Sequence, residues 1–129
     1  ANDLFILLGE HDRKQRTLAT AQRAASDWAT RRFGWKSFSI KDGAGLSHDN
    51  RLSARQLVQT LDAFTAYLNL MPRQRGNSAI RAKTGTLRGV SSYAGYVRRN
   101  GRWSTFALLI NQPVNYKLRL HVASELAGK

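Results

Sequence analysis

The sequence contains no cysteine, so disulfide bonds and thiolate metal sites are excluded. No apolar run approaches the roughly 20 residues that a transmembrane helix requires, so the sequence predicts no membrane-spanning helix. No basic segment followed by an apolar stretch and a small-residue cleavage site marks a secretory signal near Ala1. With 42% apolar residues over 129 positions, the chain is expected to fold as a globular unit with a modest core.

Acidic residues are also scarce. The chain has 8 Asp and Glu against 21 Lys and Arg, which gives a formal net charge of +13. No carboxylate side chain lies between Asp62 and Glu125, although that interval is rich in arginine. Charge of one sign over half a chain predicts an anionic partner or an acidic neighbour.

Apolar residues at spacings of three and four predict helices over Asp3–Leu8, Thr17–Phe33 and Tyr116–Leu126. Gly9 is expected to end the first helix, and Gly34 the second, because glycine readily adopts the left-handed conformation found after a helix. The residues from 10 to 16, EHDRKQR, are interpreted as a charged connection.

A further helix is predicted to begin at Ser53, since Ser53 and Gln56 form an S-x-x-Q capping box. Its apolar stripe is expected to extend through Leu57, Leu61, Phe64 and Leu68. The sequence MPRQRGN, with its proline and glycine, then ends it.

Strands are predicted over Ile80–Thr86, Ser92–Arg98 and Trp103–Asn111, with a shorter one at Phe38–Ile40. Asn100 and Gly101 form the dipeptide most typical of a tight β-hairpin. The sequence thus predicts an α+β fold, in which helices pack on an antiparallel three-stranded meander.

A polar segment, AKTGTLRG, begins at Ala82 on the first of these predicted strands. On a strand, Lys83 and Gly85 point to one face and Thr84 and Thr86 to the other, and a twist or bulge at the glycine could bring a hydroxyl toward the lysine. An ammonium beside hydroxyl groups can hold a carboxylate, and an open strand edge can pair with an extended peptide. These features favour capture of the carboxyl end of a peptide.

Three segments of the sequence resemble one protein family, in that family's order. AKTGTLRGVSSYAGYVRRNGRWSTFALLIN is similar to the Lys-Thr-Gly strand and following hairpin of penicillin-binding proteins. DGAGLSHDNRLSARQLVQTL resembles the family's DGSGLS loop and the helix behind it, with Ala44 in place of the usual serine. ANDLFILLG resembles the helix that follows the Ser-x-Asn motif. The chain is identified as a member of the class C low-molecular-mass group, the D-alanyl-D-alanine carboxypeptidase/endopeptidases of peptidase family S13.

The resemblance implies a penicillin-binding, β-lactamase-like transpeptidase fold, of which residues 1–129 form a single partial domain from the C-terminal portion. It implies serine-type acyl-enzyme chemistry on peptidoglycan stem peptides, in the periplasm or cell envelope, without a metal or cofactor. The partners implied are a peptidoglycan peptide or a β-lactam, together with an N-terminal part of the same protein. No Ser-x-x-Lys or Ser-x-Asn motif occurs in the sequence, so this chain alone is expected to be inactive.

Carried over residue by residue, the resemblance makes Lys83 the catalytic lysine of the third motif, a source of positive potential. It makes Thr84, Gly85 and Thr86 substrate-binding residues, and the Thr86 N–H one oxyanion donor. The supporting loop is implied to contain Asp42, Gly43, Ser47 and Asn50. Self-association through an exposed sheet edge is a further expectation.

Two readings from other classes remain open. A nucleic-acid-binding protein could use a basic sheet face, and a non-catalytic interaction module could retain the enzyme fold. No recognised nucleic-acid motif is present, so nucleic acid is not the expected partner. The arginines of that face would be Arg73, Arg75, Arg81, Arg88, Arg98, Arg99 and Arg102.

Overall fold

A computed structural model describes residues 1–113, 115 and 117–128, with the side chains of residues 12 and 13 left out. The chain divides into two compact units, Ala1–Leu52 and Ser53–Lys129. Within the described residues, no helix combines the length and the apolar character needed to cross a membrane.

The first unit contains two helices, α1 (Asn2–Arg13) and α2 (Leu18–Phe33). Helix α2 begins and ends as predicted, with Thr17 in a capping box and Gly34 in the left-handed conformation. The prediction that Gly9 ends α1 is wrong, because the helix continues to Arg13 and Lys14 adopts the left-handed conformation instead.

Gly9 has a packing role. A Cβ atom at this position would lie 2.5 Å from Thr20 Oγ1 and 2.6 Å from the backbone nitrogen of Ala21. The missing side chain therefore allows α1 and α2 to approach closely.

The rest of the first unit is irregular. The strand predicted over Phe38–Ile40 is reduced to one antiparallel bridge between Ser39 and Arg51. The N–H of Lys41 donates to Asn50 Oδ1 at 2.8 Å, so a side chain takes the place of a second strand partner and the ladder does not extend.

The second unit begins with helix α3 (Ala54–Ala63), and Ser53 and Gln56 form the predicted capping box. The apolar stripe does not continue in one helix to Leu68, because the chain changes to a 3₁₀-helix over Thr65–Leu70. At the other end of the unit, helix α4 occupies Lys117–Leu126; the predicted first residue, Tyr116, lies outside the described residues.

An antiparallel sheet lies between them in sequence. Its strands are β1 (Arg73–Gln74), β2 (Asn77–Leu87), β3 (Val90–Arg99) and β4 (Arg102–Ile110). The spatial order β1-β2-β3-β4 confirms the predicted α+β meander and adds one short strand. Asn100 and Gly101 have φ angles of 51° and 77°, as a tight hairpin turn requires.

Both faces of the sheet are packed. On one face, a buried apolar cluster joins the sheet to Ala123 of α4; its sheet members are Ile80, Ala82, Tyr93, Val97 and Phe106. On the other face, the buried Tyr96 donates its hydroxyl hydrogen to the carbonyl of Leu61 in α3 at 2.6 Å. The helices thus hold the middle strands from both sides.

Candidate active site

Only the first part of β2 is covered by β1. Arg73 pairs with Arg81, and the N–H of Ala82 donates to the carbonyl of Pro72 at 2.9 Å. Beyond that point, β3 pairs continuously with β2 on the other side as far as Leu87. Among the described strands, none pairs with residues 83–87 on the β1 side, so this part of β2 forms an open sheet edge.

The main chain of Thr84 and Thr86 faces this open edge. The N–H of Ala82 points toward the β1 side, and main-chain groups alternate in direction along an antiparallel strand. The side chain of Lys83 agrees with this assignment, since Nζ donates to the carbonyl oxygen of Thr84 at 2.8 Å. The edge therefore offers main-chain groups beside an exposed ammonium.

The side chains along the motif divide between the two faces. Thr84 and Thr86 lie opposite Tyr93 and Ser91 of β3, on the face that packs against α4. Lys83 and Gly85 lie on the opposite face. The β2–β3 register is unbroken from residue 80 to residue 87, so no bulge brings a threonine hydroxyl across to the lysine. Lys83 reaches the edge by its own length instead.

A guanidinium lies behind the two threonines, and sequence reasoning missed it. Nη1 of Arg119, in α4, donates to Thr86 Oγ1 at 2.9 Å, to the carbonyl of Gly85 at 3.1 Å and to Ser91 Oγ at 3.1 Å. A signal was present, because Arg119 is four residues before Ala123 and thus on the apolar side of α4. A charged residue on a buried helix face usually has a specific partner.

Tyr93 supports the same part of the sheet. Its hydroxyl donates to Oε1 of Gln74 in β1 at 2.6 Å, so the first and third strands are joined across β2. Burial raises the pKa of Tyr93, against a smaller opposing effect of Arg119. The phenol is therefore neutral at physiological pH and serves as a hydrogen-bond donor.

In the first unit, the predicted supporting loop is organised around Asp42. Its Oδ1 accepts from the N–H groups of Gly45 and Leu46, and Oδ2 accepts from the N–H of Ser47 at 2.7 Å and from Asn50 Nδ2 at 3.4 Å. Burial alone would raise the pKa of Asp42, but hydrogen bonds from the backbone N–H groups of Ser47, Leu46 and Gly45 outweigh it and hold the pKa below its ordinary value of 3.8.

Asn2 completes the loop from α1. Its Oδ1 accepts from the N–H of Gly43 at 3.0 Å and from the N–H of Ala44 at 3.1 Å. Ser47 Oγ accepts from the backbone N–H of Asp49 at 3.1 Å, which is a local turn. The structure thus brings together Asp42, Gly43, Ser47 and Asn50 in one loop of this unit.

The arginines considered for phosphate binding do not share one face of the sheet. Arg81 pairs with Tyr96, and Arg98 shares the face of Tyr96, with its guanidinium 5.4 Å from the ring centre of Trp103. Arg99 is the next residue along β3 and lies on the opposite face. These arginines are therefore divided between the two faces of the sheet.

Over residues 1–127, the sequence matches the profile of the family described as the D-Ala-D-Ala carboxypeptidase 3 (S13) family. The chain belongs to the S13 family. Among curated proteins, no sequence matches.

Solved structures similar to this S13 chain include penicillin-binding protein 4 from Haemophilus influenzae. Its β-lactam complex has a TM-score of 0.82 at 17% identity, over 98% of this chain and 37% of that chain. A second structure of the same protein has a TM-score of 0.84 at 17% identity, over 98% and 36%. A penicillin G-acylated predatory endopeptidase from Bdellovibrio bacteriovorus, in complex with an immunity protein, has a TM-score of 0.68 at 13% identity, over 97% and 44%.

These likenesses establish the fold as that of penicillin-binding proteins. This S13 chain spans less than half the length of each of these structures. The open edge of β2, with its Lys-Thr-Gly-Thr sequence, lies within the matched region.

Proposed function

We propose that this chain supplies one wall of the active site of a serine-type D-Ala-D-Ala carboxypeptidase/endopeptidase, which acts on peptidoglycan stem peptides. The observation that supports this most directly is the open edge at Lys83–Thr86, where the ammonium of Lys83 lies beside outward main-chain groups of Thr84 and Thr86. Membership of the S13 family supports the reaction class.

In this proposal, the nucleophilic serine and the lysine that activates it come from an N-terminal part of the same protein, since no Ser-x-x-Lys occurs here. The serine oxygen attacks the carbonyl between the two D-alanines, and the tetrahedral intermediate collapses as the amine of the terminal D-alanine leaves with a proton. Water then hydrolyses the ester and releases the shortened peptide. Cleavage of peptide cross-links follows the same course with a different amine as leaving group.

The residues of the edge have separate roles. The outward N–H of Thr86 donates to the oxyanion, where the loss of one such donor typically costs about 10²–10³ in rate. The ammonium of Lys83 supplies positive potential at the edge, and the hydroxyls of Thr84 and Thr86, on the other face of β2, bind the terminal carboxylate of the peptide or the carboxylate of a β-lactam. Gly85 leaves the Lys83 face of β2 open to the bound peptide, because it carries no side chain there.

The acid-free stretch after Asp62 fits this assignment, since carboxylate-bearing wall peptides are drawn to a positive surface. Because peptidoglycan lies in the cell envelope, this proposal implies a periplasmic or cell-envelope location for the protein. In the absence of a peptide, the open edge of β2 can pair with a second copy of the chain, so concentration-dependent self-association is also proposed.

Labelling with a fluorescent penicillin, followed by denaturing electrophoresis, tests the proposal. The complete protein is expected to form a covalent band, and the present chain alone is expected to form none. A labelled band from this chain alone would show that the nucleophile lies within it, contrary to the proposal. No band from the complete protein would remove the carboxypeptidase assignment.

The role of Lys83 is tested by Lys83→Ala in the complete protein, with Lys36→Ala as the matched control. Both side chains are exposed, but Lys36 lies in the first unit, outside the open edge. Lys83→Ala should label at least tenfold more slowly than wild type, since it removes a charge-assisted interaction worth about 1.5–3 kcal/mol. Equal rates for the two variants would exclude the assigned role of Lys83.

A further inference from the structure

Arg119 is placed where it can set the direction of the Thr86 hydroxyl. The same nitrogen, Nη1, reaches Thr86 Oγ1 at 2.9 Å and the Gly85 carbonyl at 3.1 Å, so the guanidinium is held against two consecutive residues of β2. Ser91 Oγ, across the strand pair from Thr86, is the third acceptor at 3.1 Å. The Arg119 side chain is half-buried and its helix packs on this face.

The direction of these bonds has a chemical consequence. A guanidinium has only donors, so Thr86 Oγ1 accepts in its bond to Arg119. The hydroxyl hydrogen is not used in that bond and remains able to donate elsewhere. A hydroxyl that accepts from a cation becomes a stronger donor, because successive hydrogen bonds polarise one another. Thr86 is thereby prepared to donate to an anionic group.

We propose that Arg119 is a positioning residue for carboxylate recognition: it orients and polarises the Thr86 hydroxyl toward the carboxylate of the peptide or β-lactam. The inference rests on the function proposed above and adds a residue from α4 to the specificity of that site. Arg119 acts through Thr86 and need not touch the substrate itself.

A purely structural role for Arg119, as a tie between α4 and the sheet, makes a different prediction. Loss of a tie would slow every acylation alike, whereas loss of carboxylate recognition affects only reagents that carry a carboxylate. The informative quantity is therefore the ratio of acylation rates for a penicillin and for its methyl ester. Both rates come from one protein preparation, so the fraction of active protein cancels.

The experiment measures this ratio in the complete protein for wild type, Arg119→Gln, Thr86→Val and the double variant. Arg119→Gln and Thr86→Val should each lower the ratio about tenfold, the effect of one charge-assisted hydrogen bond. The double variant should lower it no further than Thr86→Val alone, because Arg119 acts through that hydroxyl. Arg102→Gln, at the exposed β-hairpin, is the matched control and should keep the wild-type ratio.

Three outcomes overturn the inference. They are a wild-type ratio in Arg119→Gln, additive effects in the double variant, and an equal loss of ratio in Arg102→Gln. Arg119→Lys keeps the charge but lacks the planar fork, and should lower the ratio about threefold or more. If Arg119→Gln does not fold, Arg119→Lys is the test of the inference. An unchanged ratio in Arg119→Lys would then contradict it. Absence of wild-type labelling removes the proposed function as well, whereas the other outcomes remove only the role of Arg119.

Discussion

Replacement of Asp42 by asparagine should destabilise the loop of the first unit. The carboxylate uses both oxygens: Oδ1 accepts from two backbone N–H groups and Oδ2 from the N–H of Ser47 and the amide of Asn50. Asparagine keeps one acceptor oxygen and places an NH₂ group where the other stood. At that position it faces two donors, so those contacts become repulsive.

The magnitude follows from the lost acceptor. A hydrogen bond to a charged group contributes about 1.5–3 kcal/mol, and water can reach this exposed loop to replace part of it. We therefore expect Asp42→Asn to lower the free energy of unfolding by about 1.5 kcal/mol, measured by urea denaturation at neutral pH. The control is Asp49→Asn, which makes the same change of charge at an exposed position of the same loop.

Asp49→Asn should change stability by less than about 0.5 kcal/mol, as surface substitutions usually do. Equal effects of the two substitutions would mean that net charge, and not the hydrogen bonds of Asp42, accounts for the loss. An Asp42→Asn variant as stable as wild type would refute the role given to the loop.

The same carboxylate predicts a pH effect: because the pKa of Asp42 is below 3.8, its contribution is complete above that pH and is lost as the pH falls through the lowered value. Urea midpoints measured from about pH 5 to pH 2 should show this loss in wild type and less of it in Asp42→Asn. Gly9→Ala should destabilise by about 1–3 kcal/mol, because the new Cβ would lie 2.6 Å from a backbone nitrogen of α2. At the exposed neighbour, Glu10→Ala should instead be about 1 kcal/mol more stable than Glu10→Gly. If alanine were more stable than glycine at both positions, the packing argument would be contradicted. Tyr96→Phe should lower the free energy of unfolding in urea by about 1 kcal/mol, because the Leu61 carbonyl keeps hydrogen bonds from other donors. An unchanged free energy of unfolding would mean that the Tyr96 hydroxyl contributes nothing to stability.

Local chemistry made much of the fold predictable. The capping residues Thr17 and Ser53 mark helix starts because their side chains bind the first N–H groups, and Asn100-Gly101 marks the hairpin because both residues tolerate positive φ. Asp42 could likewise be assigned to its loop from the residues that follow it. Each of these signals depends on neighbours in sequence.

Features that depend on distant packing could not be predicted in this way. Glycine is the residue type that commonly ends a helix, but Gly9 instead allows the close approach of α2 to α1. Strand β1 has two residues, too few to show alternation. Arg119 joins the site only because α4 docks on β2, and no local pattern indicates which strand a helix will contact.

Because β1 is short, Lys83 lies at a part of β2 that has no partner among the described strands on the β1 side, and its side chain affects which chains can pair there. Its ammonium occupies the Thr84 carbonyl, one of the acceptors that a foreign strand would need for pairing at this edge. An incoming chain without negative charge must displace the ammonium of Lys83 from this carbonyl and offers no carboxylate to replace the lost hydrogen bond. In the function proposed above, a peptide that ends in a carboxylate gives the ammonium a better partner as it docks, whereas pairing with a second copy of the chain is weakened by the need to displace the ammonium.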